Sequence, residues 1–175
     1  PLALPAQHDL YASVSSLIEE ARRALARQAN STTVFLFWRI GQQVNGEILN
    51  HQRAEYGQKI VSTLATQLST SYGRSFEVRN LRRMMQFAEL FPDFENVSPL
   101  ATQLSWSHVT EVLPLKTQEA RLFYLREAAS HQLGKRELRD LISRKAYERK
   151  EIANAQLTEA SAIPLDTFKD PYLLD

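Results

Sequence analysis

The interior of this sequence is nearly free of residues that end helices. The 175 residues include five glycines and seven prolines, and four of the prolines lie before the first periodic segment or after the last. Between the two terminal groups of prolines, apolar residues recur every three or four positions. This spacing places side chains on one face of an α-helix. Apolar residues make up 43% of the chain, so these faces can form a sizeable core. We therefore expect an all-α fold of about seven helices.

Capping and helix-ending residues set the predicted boundaries. Ser31 or Thr32 is expected to begin the second helix, Gly73 to end the third and Ser75 to begin the fourth. Residues 93–104 are expected to form a loop. The predicted helices cover approximately residues 9–28, 31–48, 56–71, 76–91, 105–113, 117–131 and 135–154.

The first two predicted helices have clear apolar faces. The stripe on the first is formed by Leu10, Val14, Leu17, Ala21 and Leu25. The second helix is the most hydrophobic, and its apolar face includes Val34, Trp38 and Val44. We expect this second helix to lie at the centre of the core, with Trp38 among the buried side chains.

Composition excludes several kinds of site. The net charge of +1 gives no strongly basic signature for the whole chain, so a nucleic-acid surface requires local clustering. The absence of cysteine excludes disulfides, zinc–thiolate sites and cysteine nucleophiles, and the four histidines lack metal-ligand spacing. The longest apolar stretch, residues 34–38, is too short to span a bilayer. We expect a cytoplasmic protein without a cofactor.

The third and fourth predicted helices form a helix-turn-helix unit with Gly73 in the turn. At about 100° per residue, the fourth helix places an apolar face opposite a basic one. The apolar face comprises Leu81, Met84, Met85, Ala88 and Phe91. The basic face comprises Arg79, Arg82, Arg83 and Gln86. A recognition helix needs this arrangement, because its apolar back packs on the scaffold while its basic front contacts phosphates and base edges. The alternative is a solvated helix face with ordinary surface arginines.

A second unit of the same form covers residues 117–154, with its turn at residues 132–134. Arg136 and Arg139 lie opposite the apolar face of its second helix. The same helix also carries four acidic residues, Glu137, Asp140, Glu148 and Glu151. The apolar stripe breaks down at Lys145, so we expect the distal half of the helix to project past the core or to meet a partner. An exposed helix of mixed charge is the favoured interpretation.

One apparent nuclease signature combines Pro92-Asp93 with Glu148-Arg149-Lys150, which together spell PD…ExK. The carboxylates of such a site must lie side by side on a rigid sheet to hold a divalent metal. Here the ExK half falls in a helical pattern. We interpret the match as chance.

Several motifs in a fixed order resemble those of YhcG-type proteins. Residues 73–84 read G-R-S-F-E-V-R-N-L-R-R-M, which fits the family pattern G-x-x-F-x-x-R-N-L-x-R-M. The tail, residues 168–175, resembles the lead-in to the family's second domain. The resemblance covers nearly the whole chain. Further matches lie at residues 86–87, 91–93, 103–108, 123–125, 136–138 and 147–149.

The resemblance implies a bacterial, DNA-associated protein in which a helical, winged-helix-like domain precedes a PD-(D/E)xK nuclease-like domain. Residues 7–156 would form the helical domain, and residues 157–175 a polar linker to the nuclease-like domain. Because the chain begins at Pro1 and ends where that domain would start, we expect a fragment of a longer protein. No residue is carried over as catalytic or metal-binding, so this chain is not expected to be an enzyme.

We therefore predict a non-catalytic DNA-binding module of a nuclease. Its phosphate or base contacts are predicted at Arg79, Arg82 and Arg83, with Asn80 flanking that face. Auxiliary phosphate contacts are predicted at Arg136 and Arg139. The alternative is a protein-interaction or homodimerisation scaffold whose arginines are only solvated. The expected partners are DNA, the nuclease-like domain of the same polypeptide and, for the scaffold, a second copy of the chain.

Overall fold

The computed structural model describes residues 5–51 and 54–162, with side chains for residues 11–50 and 55–159. Its regular structure is entirely helical, as predicted, and no described residue forms a strand or the wing of a winged helix. Short 3₁₀ turns at Arg74–Phe76 and Phe94–Asn96 accompany the helices. The eight α-helices are α1 Pro5–His51, α2 Ala54–Tyr72, α3 Val78–Leu90, α4 Ser98–Ala101, α5 Trp106–Val112, α6 Gln118–Ser130, α7 Lys135–Ser143 and α8 Ala146–Ala162.

The first two predicted helices are one continuous helix, α1, so the predicted cap at Ser31 or Thr32 is wrong. Thr32 Oγ1 donates a hydrogen bond to the Gln28 carbonyl oxygen at 2.9 Å, which is how a threonine inside a helix satisfies its hydroxyl. No glycine or proline interrupts residues 28–34, so nothing in the backbone forces the helix to end there.

The two apolar stripes of α1 lie on opposite sides of the helix. Val34 and Phe37 are buried, whereas Leu17 and Leu25 are 63% and 67% exposed. Nine residues separate Leu25 from Val34, and nine steps of about 100° turn the helix through about two and a half turns. The second half of α1 therefore packs into the fold, as predicted, while the apolar stripe of the first half faces away from it.

Two apolar clusters form the core, and α3 contributes to both. One joins Phe37 and Val44 of α1 to α2 and to Met84 of α3. The other joins Val34 of α1 and Phe87 of α3 to α4, α5, α6 and α7. Because α3 packs chiefly along α1 and is shared by the two clusters, its position is fixed on several sides.

The turn between α2 and α3 confirms the predicted role of Gly73. Gly73 follows the last residue of α2 with φ of 98°, and its N–H donates to the Ser69 carbonyl oxygen at 2.9 Å. Ser75, however, lies within a 3₁₀ turn and does not cap α3. The helix begins two residues later than predicted, at Val78, with Glu77 at the N-cap position.

The predicted loop at residues 93–104 contains a 3₁₀ turn and the short helix α4, so the loop prediction is wrong for most of this segment. Val97, Ala101 and Leu104 are buried. Val97 immediately precedes α4, Ala101 ends it and Leu104 follows it, and burial of these three apolar side chains favours a compact path over an open loop.

The predicted last helix is two helices, α7 and α8, separated at Arg144 and Lys145. Lys145 has φ of 54°, a left-handed conformation that ends α7. This break explains why the apolar stripe fails at Lys145. Beyond Tyr147, the described side chains of α8 are exposed, which confirms that this part projects past the core.

Helix α8 continues to Ala162, past the predicted end near Asn154 and into the predicted linker. The rest of that linker lies outside the described residues. None of the described helices combines the length and the apolar character needed to cross a membrane.

Candidate nucleic-acid interface

The basic face of α3 is directed outward because its opposite face is buried. Met84 and Phe87 have no exposed surface. On the other side Arg79 and Arg82 are exposed and Arg83 is half-buried. The predicted division of this helix into an apolar and a basic face is confirmed. Phe87 also belongs to the buried face, although it was not assigned there from the sequence pattern.

Two grooves flank the exposed arginines of α3. Arg82 lines a groove of about 430 Å³ between α1, α2 and α3, together with Glu89. Arg79 lines a groove of about 320 Å³ together with Ser69 of α2. No carboxylate among the described residues lies within ion-pair distance of either guanidinium group, so both are available to an anion. Glu89 in the first groove and Glu77 in the second offset part of this charge.

Asn80 forms two hydrogen bonds within the fold. Its Nδ2 donates to the Ser75 carbonyl oxygen at 2.6 Å, and its Oδ1 accepts from Trp106 Nε1 at 2.8 Å. The amide therefore connects the turn before α3 to the start of α5. In this arrangement Asn80 positions α3, and the neighbouring arginines carry the charge.

Glu111 of α5 brings the two predicted basic surfaces together. Its carboxylate accepts hydrogen bonds from Arg139 Nη2 at 2.8 Å and from Arg139 Nε at 3.3 Å. Lys135 Nζ lies 3.9 Å from the same carboxylate. The hydrogen bond from Arg139 lowers the pKa of Glu111 below its ordinary value, against the opposing effect of burial, and the charges of Arg139, Lys135 and Arg83 lower it further.

Helix α3 also packs near this site, because Gln86 Nε2 donates to the carbonyl oxygen of Leu113, at the end of α5, at 3.3 Å. Arg83, Lys135 and Arg139 supply three positive charges around the single negative charge of Glu111. Arg136 is exposed on α7 and forms no ion pair with a described residue. Neither Glu111 nor Lys135 was expected at this site, because no local pattern links Glu111 to a cation 28 residues away.

A comparison of the sequence with known protein families decides the family. Residues 13–149 match the family model described as the DUF1016 N-terminal domain. The chain belongs to this family. The match includes α2, α3, α5 and α7, and thus all six predicted contact residues.

A relative of this DUF1016 N-terminal domain is the Escherichia coli (strain K12) protein named "Putative nuclease YhcG". The two are 22% identical over 204 aligned positions, which cover 95% of this chain and 54% of the relative. The chain therefore spans about half the length of that protein. No solved structure matches the chain.

His108 has a structural role in this DUF1016 N-terminal domain that was not anticipated. Its Nδ1 accepts a hydrogen bond from the Ser105 N–H at 2.9 Å, so the proton lies on Nε2, which donates to the Leu133 carbonyl oxygen at 2.6 Å. The first bond completes a capping box at the start of α5, and the second fixes the turn between α6 and α7. The spacing of Ser105 and His108 resembles a capping box with histidine in the place of glutamate.

The ExK residues of this DUF1016 N-terminal domain lie on α8, and the PD residues lie between α3 and the 3₁₀ turn that follows it. Asp93 precedes a 3₁₀ turn, and Glu148 of α8 accepts a hydrogen bond from the buried Tyr124 hydroxyl at 3.1 Å. That hydroxyl also accepts from the Tyr147 N–H, and burial is the main cause that raises the pKa of Tyr124. Within the described part of the chain, no three His, Asp or Glu side chains come together as metal ligands.

Proposed function

We propose that this chain is the DNA-binding, non-catalytic N-terminal module of a nuclease. The observation that carries the proposal is the pairing of Lys135 and Arg139 with Glu111, a carboxylate on which the charge of Arg83 also acts, together with the exposed Arg79 and Arg82 of α3. The relation to a protein named as a nuclease, about half of which this chain spans, supports the link to a catalytic domain.

The chemistry of this surface suits a phosphate backbone. Guanidinium groups present several N–H donors in a plane and bind phosphate oxygens through charge-assisted hydrogen bonds. Glu111 holds the Arg139 guanidinium in place while leaving a local excess of positive charge. Arg79 and Arg82 project from a helix whose other face is buried, so they can reach an approaching duplex without a change in the core.

The salt dependence of DNA binding tests this proposal. Each cation that neutralises a phosphate releases counterions, so log K falls with log salt by about 0.9 per contact on duplex DNA. Replacement of Arg79, Arg82 and Arg83 by glutamine should therefore flatten the slope by about two to three units. A matched variant with Arg22→Gln, Arg126→Gln and Arg149→Gln removes the same charge from exposed sites elsewhere.

Circular dichroism should be the same for both variants, because none of the six substituted side chains belongs to the buried core. Equal slopes for the two folded variants would show that α3 does not contact DNA. Duplex binding that is undetectable even at low salt would refute the proposal as a whole.

A second candidate function is homodimerisation, which the outward stripe of α1 favours. Tyr11, Val14, Ile18 and Leu25 are all exposed and recur with the period of about 3.5 that pairs one helix with another. A helix segment of about 20 residues without tertiary packing is only marginally stable in water, so an apolar partner would stabilise it. The most direct such partner is the same stripe of a second copy.

Light scattering tests this candidate. The mass should rise with concentration toward twice the chain mass, and Ile18→Glu with Leu25→Glu should abolish the rise because it places charge in the paired stripe. A mass that stays at one chain across the accessible concentrations would exclude this interface.

A further inference from the structure

A cleft of about 950 Å³ lies between the first half of α1 and the body of the fold. One wall is α1. The other wall is formed by the end of α4, the end of α6 and the turn that leads into α7. The cleft shares no lining residue with the groove beside Arg82, which lies between α1, α2 and α3, or with the groove beside Arg79, which lies between α2 and the start of α3.

The face of α1 that turns toward this cleft is polar. Arg23, Arg27 and Asn30 line it, and with the buried Val34 they follow at intervals of four, three and four residues. The face that packs into the core at Val34 is thus the same face that carries two arginines about two and three turns earlier. Since the apolar residues of this half of α1 point away, the residues facing the cleft are those suited to water or to an anion.

The lining of the cleft favours an anion without an aromatic ring. It contains the two guanidinium groups and the hydroxyl groups of Thr102 and Ser130, and none of its lining residues is Asp, Glu, Phe, Tyr or Trp. The imidazole of His108 also lines it, with its ring nitrogens bonded to Ser105 and Leu133. Neither Arg23 nor Arg27 forms an ion pair with a described residue. Stacking of bases uses aromatic faces, of which this lining offers a single imidazole, so a nucleic acid would be held here chiefly through its phosphates.

The cleft adjoins the surface around Glu111. Its lining residue Leu133 is held by the Nε2–H of His108, and two residues further along the chain Lys135 begins α7 and reaches Glu111. The turn between α6 and α7 therefore connects the cleft to the Lys135–Glu111 pair.

We propose that this cleft is a second phosphate-binding site, which contacts the backbone of the same nucleic acid that binds α3. The proposal rests on the DNA-binding function proposed above and extends it to residues outside the helix-turn-helix unit. The ligand is a phosphodiester backbone, so binding at the cleft is independent of base sequence.

The test again measures the slope of log K against log salt, for binding of a duplex oligonucleotide by the full 175-residue chain. Arg23→Gln with Arg27→Gln should flatten the slope by about two units, because two phosphate contacts are lost. The control pair, Arg22→Gln with Arg126→Gln, removes two exposed charges that do not line the cleft and should leave the slope unchanged.

A local reporter distinguishes direct contact from a general effect of charge. The chain has no cysteine, so Ser130→Cys introduces a unique labelling site in the cleft, and Ala155→Cys provides a matched site on the exposed face of α8. A fluorophore at position 130 should change its emission when the oligonucleotide binds, while the same fluorophore at position 155 should not.

Two results overturn the inference in different ways. If the Arg23/Arg27 variant behaves as the control pair while the α3 triple variant loses slope, the cleft is not a phosphate site and the proposed function stands. If the wild-type chain binds no duplex DNA, the cleft proposal and the proposed function both fail.

Discussion

The close approach of α1 and α3 gives a sharp test of the fold. Gly41 is buried on α1 and faces the backbone of α3. A Cβ atom added to Gly41 would overlap the Met84 carbonyl oxygen, lie 2.6 Å from the Met84 carbonyl carbon and lie 3.0 Å from Ala88 Cβ. Two of these atoms belong to the backbone, so no rotation of a side chain can relieve the overlap.

The magnitude follows from this geometry. Carbon atoms pack at about 3.5–4.0 Å, so Gly41→Ala requires α1 and α3 to separate by about 1 Å along this contact. Overpacking of this kind typically costs about 1–3 kcal/mol, against a gain of about 1 kcal/mol from the better helix propensity of alanine. Because backbone atoms are involved, we expect the upper end of the range and a net loss of about 2 kcal/mol.

Gly46 provides the matched control, because it lies on the same helix and a Cβ there would meet nothing within 4 Å. Gly46→Ala should raise the free energy of unfolding by about 0.5–1 kcal/mol. Urea unfolding of the two variants, followed by circular dichroism, measures both effects. If Gly41→Ala is as stable as Gly46→Ala, the two helices are not in backbone contact at this position.

Three further perturbations follow from individual contacts. Glu111→Gln should steepen the salt slope of DNA binding by about one unit, because Arg139 is released to a phosphate. The pKa of Glu111 is lowered in the fold, so the ionised carboxylate stabilises the folded state above its ordinary pKa of 4.5. This stabilisation is lost as the pH falls through the lower folded value. The free energies of unfolding of wild type and variant should therefore converge in acid. Trp38→Phe should cost about 1 kcal/mol in urea unfolding, because it removes the 2.8 Å hydrogen bond from Nε1 to the Phe91 carbonyl oxygen, and an unchanged midpoint would argue against that bond. His108→Leu should cost about 2 kcal/mol or more, since it leaves two backbone groups without their partner, and a neutral effect would show that water replaces it.

The faces of α3 were predictable because periodicity records which side of a helix is buried. The start of α3 was not predictable, and it lies two residues later than expected. Ser75 is a good N-cap residue in sequence, but it lies within the 3₁₀ turn that precedes the helix. The same ambiguity affected Ser31 and Thr32, whose hydroxyls suit either a cap or a helix interior.

The meeting of α3 and α7 could not be read from the sequence. Arg83 and Arg139 belong to different periodic segments, and each segment alone indicates only a basic face. The effect of both charges on Glu111 depends on how α3 and α7 pack beside α5, which is a property of the packed core. The burial of Trp38 was overestimated for a related reason: its ring lies at the margin of the core, half-buried against Phe94.

The reversal of apolar faces along α1 has a consequence for the way this helix responds to a ligand. Its 47 residues would extend about 70 Å as a single rod, yet only the second half is protected by the core. Amide hydrogens near Phe37 should exchange with solvent only on global unfolding, whereas those near Leu17 should exchange through local fraying at little free-energy cost. A ligand that binds the first half of α1 must also shift the helix–coil equilibrium of that segment toward helix. Part of the binding free energy is therefore used in ordering the chain. A substitution that only favours helix, such as Ser15→Ala, should then strengthen binding without touching the ligand.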